Sequence, residues 1–159
     1  MEDLWLTVHY VGIIGFVAAH GAQMWMMMAL KGQAPNRERI FELAEISRTA
    51  TPPMYVALAI LVVGGTGAGL EGGWFTDGWW VWAALGILLV EIGVMAAIAT
   101  PYMRRVRDAT TRWADGSYAM AEPEFEALIG SSTPALVNAL GIAGLAVILW
   151  LMVYKPGAA

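Results

Sequence analysis

Residues 78–103 read GWWVWAALGILLVEIGVMAAIATPYM, with Glu91 as their only charged residue. At about 1.5 Å per helical residue this stretch is long enough to cross a hydrocarbon core of about 30 Å. No polar face recurs at helical spacing, as it would on a helix lying over a soluble core. Working outward, residues 4–30, 49–70 and 127–154 contain no Asp, Glu, Lys or Arg at all. The sequence therefore predicts an all-α fold, an integral membrane four-helix bundle. Its spans cover about 4–30, 51–71, 78–103 and 132–154, in a single transmembrane domain over residues 1–159.

The bulk composition agrees. Of 159 residues 58% are hydrophobic and 14% charged, against roughly a quarter charged in a soluble domain. The absence of cysteine excludes disulfides, thiolate metal sites, iron–sulfur clusters and covalently attached haem. A net charge of −4, scattered along the chain, gives no surface for nucleic acid. The start, Met1-Glu2-Asp3, lacks the positive region of a cleavable signal, and the apolar run behind it exceeds a signal core, so the first span is expected to stay in the mature protein.

Charge asymmetry predicts the topology. Lys31, Arg37, Arg39 and Arg48 lie between spans one and two, and Arg104, Arg105, Arg107 and Arg112 between spans three and four; only Lys155 falls elsewhere. The positive-inside rule then puts both termini outside, in a bacterial inner membrane, with the lipid bilayer as first partner. Trp5, Tyr10, Trp74, Trp79, Trp80, Trp82, Trp150 and Tyr154 cluster at the opposite, outer ends, where aromatic rings anchor in the headgroup layer. Thr51-Pro52-Pro53 and Ser132-Thr133-Pro134 each read as a hydroxyl cap followed by proline in a first helical turn. Before the first of these, Ile40, Phe41, Leu43, Ala44 and Ile46 interleave with Arg37, Arg39, Glu42, Glu45 and Arg48. That pattern predicts an interfacial amphipathic helix in the inner loop. A second such element is expected through Phe125, Leu128 and Ile129.

The polar residues inside the spans are the candidate site. At about 100° per residue, Trp5, His9, Gly12, Ile13, Phe16, His20, Gln23 and Met27 share one face of span one, and a polar stripe in a membrane helix faces the bundle interior. Spans one and three run in the same direction, so helical rise places Glu91 near the midplane and within about one turn of His20, with Asn138 and Gln23 further in. His9 lies further out, level with Thr66 and the glycines at 64, 65, 67 and 69. An unpaired carboxylate at that depth is costly, which marks Glu91 with His20 as catalytic candidates. The weighing alternative is a neutral Glu91 tying two helices together by a hydrogen bond. Gln23 and Asn138 read as packing contacts, and most intramembrane glycines as sites of close helix approach. A flat ligand pressed on the glycine run is the other reading of residues 64–69.

His9 and His20 are also the candidate metal ligands, because imidazole suits haem, copper or zinc. They stand about 16 Å apart along the helix, too far for one shared metal. Met24, Met26, Met27 and Met28 beyond His20 suit copper, a weaker expectation than haem since methionine commonly fills apolar helices.

The stretch Trp5-Leu6-Thr7-Val8-His9-Tyr10-Val11-Gly12-Ile13-Ile14 resembles the first helix of the four-helix membrane proteins related to the copper-resistance D domain and the HemJ-type protoporphyrinogen oxidases. The resemblance covers about 25 residues together with the four-span layout. It implies a haem b site with His9 as axial ligand; the shared face of span one and the glycine run at the same depth add Gly12, Phe16, Gly65 and Thr66 as candidate cofactor-binding positions. The leading expectation is thus a b-type haem protein that passes electrons, a haem-dependent membrane oxidoreductase if it is an enzyme. The alternatives are an accessory subunit of a larger membrane complex or a homo-oligomer, and a proton or metal-ion pathway through His20, Glu91 and Asn138.

Overall fold

The computed structural model describes residues 2–33 and 36–157. In chain order these form α1 (Glu2–Lys31), α2 (Arg37–Glu71), the single turn α3 (Trp74–Asp77), α4 (Trp79–Val94), a π-helical turn (Met95–Ala99), α5 (Thr100–Thr110), α6 (Glu122–Gly130) and α7 (Thr133–Tyr154). Among the described residues the only β feature is an isolated bridge between Arg112 and Tyr118. Among the described residues four stretches, Asp3–Lys31, Arg37–Glu71, Trp79–Thr110 and Glu122–Tyr154, are long and apolar enough to cross a membrane.

Two proline effects separate this architecture from the expected one. Thr51-Pro52-Pro53 does not start a helix, because α2 runs unbroken through both prolines. Prolines inside a helix remove backbone donors and crowd the preceding turn. Side chains gather there: Thr51 Oγ1 donates to Ser47 O at 2.9 Å, Gln23 Nε2 to the same carbonyl at 2.8 Å, and Thr49 Oγ1 to Ile46 O at 2.9 Å. The carbonyls that Pro52 and Pro53 leave without a helical donor are those of Arg48 and Thr49, so these bonds hold the turn just before the prolines and do not replace the lost ones. Pro101 acts differently. It supplies no N–H to Ala97, and just before it the helix widens, with Thr100 N donating to Met95 O five residues back.

The helices associate in pairs. α1 lies along α2, and α4 along α7, each pair antiparallel; the pairs meet chiefly where α5 packs on α2. That meeting place, at the arginine-bearing end (the basic end), holds the main core: Leu30, Ile40, Leu43, Val106, Phe125 and Ile129 are fully or almost fully buried together. Ile40, Leu43 and Ala44 of the first apolar stripe and Phe125 and Ile129 of the second are therefore covered by the chain's own helices, while Phe41 and Ile46 are exposed; the first stripe is continuous with α2 and not a separate element. Arg37 fastens this end. Its guanidinium donates to Ala109 O at 3.1 Å, Met120 O at 2.9 Å and Glu122 Oε2 at 2.7 Å, and lies between the Tyr118 and Phe125 rings at 4.6 and 4.1 Å.

At the opposite end Trp80 is a core residue and not an anchor. It is packed on Trp74, over whose ring Lys155 Nζ stands at 4.4 Å. Trp79, Trp82 and Trp150 are exposed, as anchors would be.

Candidate functional site

The face expected on α1 turns toward the protein. Gly12, Phe16, His20 and Met27 are buried, and Trp5, His9, Ile13 and Gln23 half-buried. Its polar members reach different partners. Gln23 bonds to Ser47 and Thr51 of α2, with Ser47 Oγ donating to Gln23 Oε1, and Asn138 Nδ2 donates to Met24 O at 3.1 Å. Both side chains tie helices together.

His20 and Glu91 come together. A cavity at the middle of the spans is lined by Phe16 and His20 of α1, Met54, Tyr55 and Leu58 of α2, Leu88, Glu91 and Ile92 of α4, Met95 of the π turn and Leu145 of α7. Two glycines of α7, Gly141 and Gly144, lie close to its polar groups. From the point where a Cβ on Gly141 would stand, His20 Nε2 is 3.4 Å away, Met95 Cε 3.6 Å and Glu91 Oε2 3.8 Å. One turn further along α7, the Glu91 carboxyl lies directly over Gly144, in the space a side chain there would need. His20 is 6% exposed and stacks flat on Phe16, with ring centroids 5.2 Å apart and planes 9° apart. Neither His20 nor Glu91 has a hydrogen-bond partner among the described residues, and they do not bond to each other.

The space between them is small. The centre of a water-sized sphere can occupy about 40 Å³ of it, room for about three waters at the 10–15 Å³ each requires. A buried imidazole and a half-buried carboxyl without protein partners, facing one water-sized space, can hold a proton between them or hand it across a short water bridge. Among the described residues no group of three or more His, Asp or Glu side chains converges to hold a metal. Of the methionine run after His20, Met27 joins the basic-end core and Met28 is exposed.

His9 belongs to a separate place. Its Nδ1 is 2.8 Å from Leu61 O. A carbonyl only accepts, so Nδ1 carries the proton and Nε2 is the nitrogen left for a ligand. That tautomer suits an axial haem ligand. The surroundings do not fit a porphyrin within the chain. Gly12 lies against the backbone of Leu61 and Gly64 against that of His9, so α1 and α2 touch with no slot between them. Gly65 is covered by the His9 ring, Gly67 by the Trp5 indole and Gly69 by the Phe75 ring. The flat groups pressed on the glycine run are thus the protein's own rings. Of the other positions expected to bind haem, Thr66 is exposed and Phe16 belongs to the His20 cavity.

The π turn, with Met95 in the cavity wall, was missed by the periodicity; its signal was Pro101. No family model, curated protein or solved structure matches the chain.

Proposed function

We propose that the protein is an integral membrane four-helix bundle whose His20–Glu91 pair takes up and passes protons. The carrying observation is the convergence of His20 Nε2 and Glu91 Oε2 over Gly141, in one cavity and without other protein partners. Imidazole and carboxyl are the side chains whose charge changes near physiological pH once an apolar site has moved them, and intramembrane ionisable residues are the usual components of proton relays. Because the two face the same small space, the charge on either governs the proton affinity of the other, and they titrate as a pair. Both termini lie outside and the arginine-rich loops inside in this reading.

The test is infrared difference spectroscopy of the reconstituted protein over a pH titration. A carboxyl band that changes with pH and is missing in Glu91→Gln supports the reading, and His20→Ala should move its midpoint. A titration unchanged by Glu91→Gln in protein of normal helicity sinks it. The competing reading is haem b on His9, supported by the free Nε2 and by the resemblance of the first helix. The closed α1–α2 seam counts against it. Its test is an absorption spectrum of protein purified from haem-replete cells, oxidised and then reduced.

A further inference from the structure

The His20–Glu91 cavity is open on one side, and the side matters. Two of its lining residues are also exposed: Tyr55 of α2 at 49% and Ile92 of α4 at 37%. α2 and α4 scarcely touch each other, so the opening lies between them. Behind that opening the enclosed space is only about 40 Å³, so the polar edge of a ligand reaches His20 and Glu91 while its body lies in the open mouth. Ile92 stands about 20 Å along its helix from the tryptophan end, and Tyr55 about the same distance from Leu70. In a hydrocarbon core of about 30 Å the mouth therefore opens within the apolar layer and toward neither aqueous face.

On the reading of His20 and Glu91 as proton-exchanging groups, we propose that this cavity is a lateral binding site for a membrane-soluble quinone or quinol, entering from the bilayer between α2 and α4. Three features select that chemistry. The walls are apolar except for His20, Glu91 and the Tyr55 hydroxyl, so the ligand is greasy with few polar atoms. A neutral head with carbonyl or hydroxyl oxygens can accept from an imidazole N–H and exchange a hydrogen bond with a carboxyl, whereas a fatty-acid carboxylate would face Glu91 and a phosphate head would have to leave the interface. The parallel Phe16 and His20 rings make a flat wall for a ring to lie against. His20, more than nine-tenths buried and unpartnered among the described residues, faces the position such a head would take.

A photoreactive azido-quinone with a short aliphatic tail tests this in proteoliposomes of the full chain. On irradiation it should attach to the peptides containing Tyr55 and Ile92, and excess decylubiquinone should displace it. Glu91→Gln and His20→Ala should each weaken displacement by about tenfold, the loss expected for one hydrogen-bonded partner. A crosslink spread evenly over lipid-facing residues, or one that decylubiquinone does not displace from wild-type protein, overturns the proposal even if the Glu91 carboxyl band titrates as described. A displaced crosslink that maps to the mouth upholds it even if that band does not respond to pH, so the two readings fail separately.

Discussion

The carboxyl group of Glu91 rests on Gly144, at the place where any other residue would put its Cβ. A flexible acid end and a backbone surface can part easily. Gly144→Ala should therefore swing the carboxyl out of the cavity while the helices stay packed, with a stability change of about 1 kcal/mol or less after the gain in helix propensity. In the infrared titration it should behave like Glu91→Gln. Gly64→Ala is the contrast, since its Cβ would meet the backbone of His9, and backbone does not yield. Overpacking there should cost about 1–3 kcal/mol, read as a lower melting temperature in detergent. Equal melting temperatures for the two variants would mean that the α1–α2 seam is not closed as described.

His9 and Gly65 should be energetically coupled. The imidazole sits where a side chain at 65 would go, so Gly65→Ala must dislodge the ring and break the bond to Leu61 O. His9→Ala removes that bond and leaves a hollow. In the double variant the new methyl enters the hollow, and a double-mutant cycle should give a favourable interaction of about 0.5–3 kcal/mol. Additive losses would show that the ring is not seated on Gly65. His9→Ala also tests the haem reading directly, because any Soret band that persists in it does not come from a His9-ligated haem.

The spans were legible because the charges are so unevenly placed; the uncharged runs 4–30, 49–70 and 127–154, and 78–103 with Glu91 alone, need no packing information to be read. The meeting of His20 with Glu91 was legible for a similar reason, since parallel helices rising equally from one surface bring equal depths together. Glycine roles were not. Gly64 and Gly86 look alike in sequence, yet Gly64 is pressed on His9 and Gly86 has nothing within 4 Å. Which neighbour a small residue meets depends on tertiary packing that helical periodicity leaves open. Thr51-Pro52-Pro53 misled because its local chemistry does favour a helix start. What surrounds that turn comes partly from Gln23, distant in sequence, which ties α1 to α2 at Ser47 and Thr51.

Arg37 should matter more than any other charge at the basic end. It is 5% exposed, with two carbonyls and two aromatic faces around it, whereas its ion-pair partner Glu122 is 53% exposed. Arg37→Ala strips donors from buried carbonyls and should destabilise by about 2–4 kcal/mol. Arg37→Lys should rescue little, because one ammonium lacks the planar fork that reaches Ala109, Met120 and Glu122 together. Glu122→Gln should cost about 1 kcal/mol or less, the usual worth of an exposed pair. The measurement is thermal melting of the three variants. An Arg37→Ala loss no larger than that of Glu122→Gln would remove the clasp from the account.

Topology is tested from positions that the structure shows to be accessible. Thr76 is exposed in α3 at the tryptophan end, its hydroxyl bonded only to Gly73 O. Ser117 is exposed in the turn between α5 and α6, where its amide N–H and hydroxyl both donate to Asp115. Each can become the only cysteine of the chain without opening a core. The Ser117→Cys turn keeps its amide bond to Asp115. With the basic loops inside, the Thr76→Cys protein should react with an impermeant maleimide in intact cells, and the Ser117→Cys protein only after the cells are permeabilised. The order matters beyond orientation, because Gln23, Ser47 and Asn138 lie toward the basic end of the His20–Glu91 cavity. If that end is inside, the polar residues nearest the pair point the proton path toward the cytoplasm. Labelling of Ser117→Cys in intact cells, with Thr76→Cys protected, would reverse the orientation and send that path outward.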